Sequence, residues 1–190
     1  CVMHSLLIDP TVAAFIKRRV GLKPSYYRLL YNIISVLTLV PLLLVSLYDR
    51  GGIMFAWSGL TMLVRLALFS AAVLCFVGGA KGYDLQYFLG FQQIRDGRER
   101  VLLGEGGTFS ETGVFGLVRH PWYVGSLLLV WTMYGTYYQK NFAVAVILSI
   151  YLVVGTLLEE RKILVEHGDL YRRYQKRVSM FVPIKWLLGK

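Results

Sequence analysis

The chain has 190 residues, 56% of them hydrophobic and 17% charged, with a mean hydropathy of +0.53. Soluble domains carry about 45–50% apolar and about 25% charged residues, so this composition leaves no room for a soluble catalytic domain and reads as one integral membrane domain over 1–190. The net charge of +10 does not point to nucleic acid, because the basic residues lie between apolar runs, where topogenic charges belong.

Residues 2–16 are apolar but interrupted by His4, Asp9 and Pro10, which predicts a partial span or an irregular entry helix. Whether residues precede Cys1 and complete another span is left open. Lys17, Arg18, Arg19, Lys23 and Arg28 follow, then a second span over 29–48 with a kink expected at Pro41. Asp49-Arg50-Gly51-Gly52 is a polar turn. A third span is predicted over 60–79, carrying Arg65, with the amphipathic stretch 81–94 continuing it to the interface. Residues 95–113 are polar and Gly-rich, hence a loop. Their Gly104-Glu105-Gly106-Gly107 lacks the spacing of a phosphate loop. The fourth and fifth spans, 123–138 and 142–158, are shorter than the ~20 residues a spanning helix needs, so their ends must run into flanking motifs or the helices must sit untilted. From Glu159 the tail is a charged, Tyr-rich amphipathic helix ending near Pro183. The fold class is therefore all-α, a polytopic helix bundle with about five transmembrane helices and a C-terminal amphipathic helix.

Eighteen of the 21 basic residues fall in alternate loops, leaving Arg50 and Lys140 on the other side and Arg65 within a span. The positive-inside rule makes the rich side cytoplasmic. Five spans then put the chain's start outside and its end inside. The Cys1 and Cys75 pair gives no disulfide framework or metal motif, and no metal is expected.

Two polar clusters stand at the mouths of apolar runs on that cytoplasmic face. The first is Arg119-His120-Pro121-Trp122-Tyr123-Val124-Gly125. Arginine and histidine are costly beside hydrocarbon, and proline suits the first turn of a helix. The second, Glu159-Glu160-Arg161-Lys162, closes the following hairpin. Each residue alone has a plain reading: a topogenic arginine, an interfacial histidine, a solvated helix end. Two adjoining helices would bring the clusters to one face.

This arrangement resembles the signature of the isoprenylcysteine carboxyl methyltransferase and phospholipid methyltransferase superfamily: Arg-His-Pro-x-Tyr-x-Gly, a helical hairpin, then Glu-Glu. The tail from His167-Gly168-Asp169 through Tyr171 and Tyr174 to Pro183 is similar to theirs, and the likeness covers about 82–186. In the N-terminal half His4-Ser5-Leu6-Leu7, Tyr27 to Asn32, Gly82-Tyr83-Asp84-Leu85 and Phe88-Leu89-Gly90 are similar to the NnrU-like and methanethiol S-methyltransferase branch. The resemblance implies S-adenosylmethionine as methyl donor, with Arg119, His120, Pro121, Tyr123, Gly125, Glu159 and Glu160 as cofactor-binding residues. A glutamate would accept hydrogen bonds from the ribose hydroxyls, Arg119 would clamp the donor's carboxylate, and Trp122 would pack adenine or the sulfonium. His120, His167 or a tail tyrosine, Tyr171 first, would act as base or orienter, and Arg173 or Arg177 would position donor or acceptor. The expected catalytic set is His120, Tyr171 and Arg173.

The expected partners are the lipid bilayer and a small or lipophilic methyl acceptor, with no nucleic acid. The acceptor is first a small thiol such as methanethiol, then a prenylcysteine carboxylate, then a phospholipid amine. The expected location is the bacterial inner membrane, with the site facing the cytoplasm. The competing reading is an NnrU-like accessory membrane protein without catalysis. A transporter would show an internal repeat, and none is visible. The segment around Tyr171-Arg172-Arg173-Tyr174 also reads as a basic helix lying on anionic lipid. His4 and Asp84 are weaker candidates for an acceptor path.

Overall fold

The computed structural model describes residues 7, 10–47, 51–82, 86, 89–96 and 112–189. In chain order the elements are α1 (Pro10–Val20), α2 (Pro24–Leu47), β1 (Ile53–Ala56), α3 (Thr61–Gly82), α4 (Phe91–Asp96), α5 (Val114–Leu117), α6 (Pro121–Thr132), β2 (Thr136–Tyr138), α7 (Gln139–Arg177) and α8 (Ile184–Leu187). They fall into two compact units, one formed by Cys1–Asp49 with Tyr83–Leu102, the other by Arg50–Gly82 with Leu103–Lys190.

In the first unit α1 ends at Gly21, whose φ of 67° lets the chain turn back so that Leu22 N donates to Lys17 O at 3.0 Å. Tyr27 donates to Leu7 O at 2.7 Å. Gly90, at φ 95°, lies so close to α2 that a Cβ there would sit 2.9 Å from Leu29 N. Asn32 Nδ2 meets Leu89 O at 3.1 Å. Two of the N-terminal patches singled out above, Tyr27 to Asn32 and Leu89-Gly90, are therefore one packing contact. The second expected span coincides with α2, which keeps Pro41 inside it. His4, Asp84 and most of the loop 95–113 lie outside the described residues, as do residues 2–6, 8 and 9 of the first apolar stretch, whose remainder from Pro10 is helical in α1.

The second unit carries the site. Thr61–Gly82 and the Gln139–Val165 part of α7 are long and apolar enough to cross a membrane. Their outward faces are apolar, with Leu63, Leu66, Leu74, Ile147 and Ile150 all exposed, which is the surface a helix presents to lipid rather than to water. The third and fifth expected spans lie within these helices. The other side of α3 is lined with small residues. A Cβ on Gly78, Gly79 or Gly82 would collide with Val114, Trp122 and Phe115 respectively, and one on Gly125 would come within 3.2 Å of Ala72 O. Close approach of this kind is how helices gain contact where no hydrophobic force drives them together. α3 and α6 run antiparallel: Trp122 donates to Phe76 O at 3.3 Å near one end, and Arg65 Nε donates to Thr132 O at 2.8 Å at the other.

The fourth expected span, 123–138, is not one helix. α6 has 12 residues, about 18 Å at 1.5 Å per residue, and residues 136–138 form a strand instead. The cause is visible at its C-terminus, where the carbonyls have no further helical donors. Val130 O receives Tyr137 Oη at 2.6 Å, Trp131 O receives Trp57 Nε1 at 3.1 Å, and Thr132 O receives Arg65. β2 then pairs antiparallel with β1, Phe55 opposite Tyr137 and Ala56 opposite Thr136. The mostly helical expectation stands, with this two-stranded sheet as an addition. Arg65, the basic residue inside a span, caps a helix C-terminus, where a cation is favoured.

Candidate active site

α7 begins directly after β2 and runs back along α6. Its buried positions Asn141, Ala145, Thr156, Glu160 and Ile163 are spaced by three, four or eleven residues, each close to a whole number of turns, and so form one stripe of a helix. Glu160 is in phase with the stripe and Glu159 is one residue out of it. Glu160 therefore turns inward beside the start of α6, while Glu159 is half-buried.

At the start of α6, Pro121 is fully buried and occupies the first helical turn. His120 stands at the cap position without using its side chain to cap. Just before it, Val118 forms a parallel bridge with Ser179, and Arg119 N donates to Ser179 O at 2.8 Å. This short pairing fixes Arg119 and His120 against the chain's C-terminal segment.

Glu160 is the centre of the cluster. Its Oε1 accepts Arg119 Nε at 2.7 Å and Arg119 Nη2 at 2.6 Å. It also accepts Tyr171 Oη at 3.0 Å. His120 Nε2 lies 3.1 Å from the same oxygen; an ionised carboxylate can only accept, so the proton of that bond sits on Nε2. Oε2 accepts Gln175 Nε2 at 2.8 Å. The remaining nitrogen of Arg119, Nη1, donates to Val178 O at 2.5 Å and to Gln175 O at 3.4 Å. Arg119, His120, Glu160 and Tyr171 are each less than a tenth exposed. A buried ion pair holds only when further hydrogen bonds satisfy both partners, and here they do.

The tail reaches this cluster because α7 breaks. Gly168 has φ 50° and ψ −124° inside the element, a conformation open essentially to glycine alone. Beyond it Tyr171, Tyr174 and Val178 turn inward and pack with Ile163 and Leu164. Tyr174 donates to Phe115 O at 2.7 Å. Burial, reinforced by the Glu160 carboxylate, holds the Tyr171 phenol well above the usual tyrosine range. Tyr171 is therefore a standing donor to Glu160 and not a base near neutral pH.

Of the residues expected from sequence, Arg119, His120, Glu160 and Tyr171 are brought together, with Pro121 beneath them. Tyr123 is half-buried and its ring meets the edge of His120 at 5.7 Å between centroids. Gly125 lies one turn further on, where the approach of α3 accounts for it without a ligand. Arg173 is exposed and stands on the outward side of the tail. Gln175 and the Val178–Ser179 backbone are part of the cluster although sequence reasoning passed over them.

The chain is 38% identical over 78 residues to a methanethiol S-methyltransferase of Pseudomonas deceptionensis, covering 40% of this chain and 29% of that one. It is 37% identical over 70 residues to methanethiol S-methyltransferase 1 of Bradyrhizobium diazoefficiens, covering 37% and 24%. A methanethiol S-methyltransferase of Crocosphaera subtropica is 33% identical over 75 residues, covering 40% and 29%. The chain resembles the methanethiol S-methyltransferase branch of the membrane methyltransferases. The matched region is less than a third of the length of these three relatives. No protein-family model and no solved structure matches the chain.

The likeness to this branch gives the cluster a chemical context. Arg119 and Glu160 bind each other and the tail, with five donor atoms already on the Glu160 carboxylate. Glu159 is the carboxylate outside that network. Gly155, one turn earlier on α7, has only the Tyr123 ring nearby, at 3.8 Å from where a Cβ would stand. Glu159 stands one turn beyond Gly155 on α7, and the Tyr123 ring lies near both Gly155 and the His120 ring.

Proposed function

We propose that the protein is an S-adenosylmethionine-dependent methyltransferase, working at the cytoplasmic face of a five-span bundle in a bacterial inner membrane, and that its acceptor is a small thiol such as methanethiol. The observation that carries this reading is the meeting of Arg119-His120 and Glu160 in one buried cluster, in a chain 33–38% identical to methanethiol S-methyltransferases over the matched residues.

S-adenosylmethionine, when bound, supplies a methyl group on a cationic sulfur that a thiolate displaces in line. Such a step asks the protein for proximity, alignment and exclusion of water. In this reading Glu159 accepts the ribose hydroxyls, and Tyr123 and the outer edge of His120 orient the amino-acid end. Arg119, Glu160, Tyr171 and Gln175 form the rigid wall that holds those groups in place. The ribose contact, open between Glu159 and Glu160 in the sequence, falls to Glu159 in this reading, because five donor atoms already surround Glu160. A thiol acceptor reacts as its thiolate, and the protonated Tyr171 is unsuited to removing that proton.

Incubation of the membrane-reconstituted protein with S-adenosylmethionine and methanethiol, with headspace detection of dimethyl sulfide, tests the proposal. Product that depends on both reactants and disappears in Glu159→Ala supports it. Absence of product with methanethiol, alongside methylation of a prenylcysteine or a phospholipid amine, moves the acceptor to that class. Absence of transfer to all three favours the accessory-protein reading.

A further inference from the structure

The tail beyond Gly168 has two faces with different chemistry. Its inward face carries Tyr171, Tyr174 and Val178, all buried, and Gln175, which reaches Glu160. Its outward face exposes Arg172, Arg173, Lys176 and Arg177, and Arg161 and Lys162 are exposed on the preceding part of α7. The described acid on this face, Asp169, pairs with Arg172 at 3.4 Å with both side chains largely exposed, a contact of little strength. Arg172, Arg173 and Lys176 thus present their cationic side chains on an exposed face.

Exposed apolar groups follow the tail in the chain. In α8, Ile184, Trp186 and Leu187 are all more than half exposed, as is Leu188 just after it. α8 is fixed to the tail helix, since Lys185 N donates to Ser179 Oγ at 3.1 Å and the Lys185 ammonium to Gln175 O. A row of cations with a tryptophan and leucines alongside fits the boundary between headgroups and acyl chains. It does not fit bulk water, where that apolar surface would gain nothing.

We infer that the outward face of the tail docks on the anionic headgroups of the membrane surrounding the protein, and that this docking holds the inward face against the Arg119–Glu160 pair. One short helix then links lipid charge to the site. The coupling to donor affinity rests on the methyltransferase reading; the docking itself does not.

Backbone hydrogen exchange of residues 169–188 in the full chain, measured in nanodiscs of neutral phosphatidylcholine and of phosphatidylcholine with phosphatidylglycerol, tests the docking. Slower exchange in the anionic discs is expected, lost in the Arg172→Gln/Lys176→Gln protein and at high salt, where surface charges are screened. At about fivefold in partition per basic residue near an anionic surface, the double variant loses most of the protection. Equal exchange in both lipids overturns the proposal. S-adenosylhomocysteine affinity measured in the same discs is expected to rise severalfold with anionic lipid. Lipid-dependent exchange without S-adenosylhomocysteine binding in either disc supports the docking and counts against the donor site alone.

Discussion

Glu160 accepts hydrogen bonds from Arg119, His120, Tyr171 and Gln175, so its removal leaves a guanidinium buried without its counter-charge. Breaking a buried pair in this way costs about 3–5 kcal/mol. Glu160→Ala is expected to lower the thermal midpoint sharply, and Glu159→Gln, one residue away and outside the network, to leave it within about 0.5 kcal/mol of wild type. Equal destabilisation by the two substitutions would contradict the division of roles. Tyr171→Phe removes one hydrogen bond to a charged group, worth about 1.5–3 kcal/mol. Its pH dependence has a definite sign. The folded protein raises the Tyr171 value, so the contribution is complete below the ordinary tyrosine value near 10 and shrinks as pH rises above it. Denaturation of wild type and Tyr171→Phe across that range should show the gap closing on the alkaline side. The pair of clusters was legible in the sequence, because Arg-His-Pro and Glu-Glu flank one hairpin. Which glutamate turns inward was left open between Glu159 and Glu160, because the stripe that decides it, Asn141, Ala145, Thr156, Glu160 and Ile163, is a pattern of burial that includes polar residues. Gln175 was not legible, since a glutamine on a charged helix has no distinguishing pattern.

At the scale of elements, the decisive feature is the break at Gly168. Without it α7 would carry the tail straight on and Tyr171 would not return to Glu160. Nothing lies within 4 Å of where a Cβ at Gly168 would stand, so a substitution there tests backbone conformation and not packing. Gly168→Ala is expected to cost about 1–3 kcal/mol through the strained dihedrals and to free the tail, seen as faster hydrogen exchange at 171–178. An unchanged exchange pattern would mean the tail docks without the glycine. The break is invisible to hydrophobic periodicity, which runs through it. The short α6 was missed for a related reason. Residues 133–138 are as apolar and aromatic as a helix end, and the competition for the carbonyls of Trp131 and Thr132 just before them comes from Trp57 and Arg65, more than 60 residues away in sequence. Gly125 was recognised as a close-approach position, and its partner proved to be the α3 backbone.

At the scale of the whole molecule, the apolar outer faces of α3 and α7, the basic tail and the aromatic group Phe55, Trp57, Trp131, Tyr134 and Tyr137 divide the second unit along its length. The buried polar cluster lies at the basic end, as the loop charges imply. The account stands or falls on whether that end holds a methyl donor. Calorimetric titration of the detergent-purified protein with S-adenosylhomocysteine, beside Glu159→Ala, shown to keep its thermal midpoint, and His120→Ala, measures this directly. The account predicts saturable micromolar binding by the wild type and its loss in both variants. No binding by the wild type, or undiminished binding in Glu159→Ala, would contradict it.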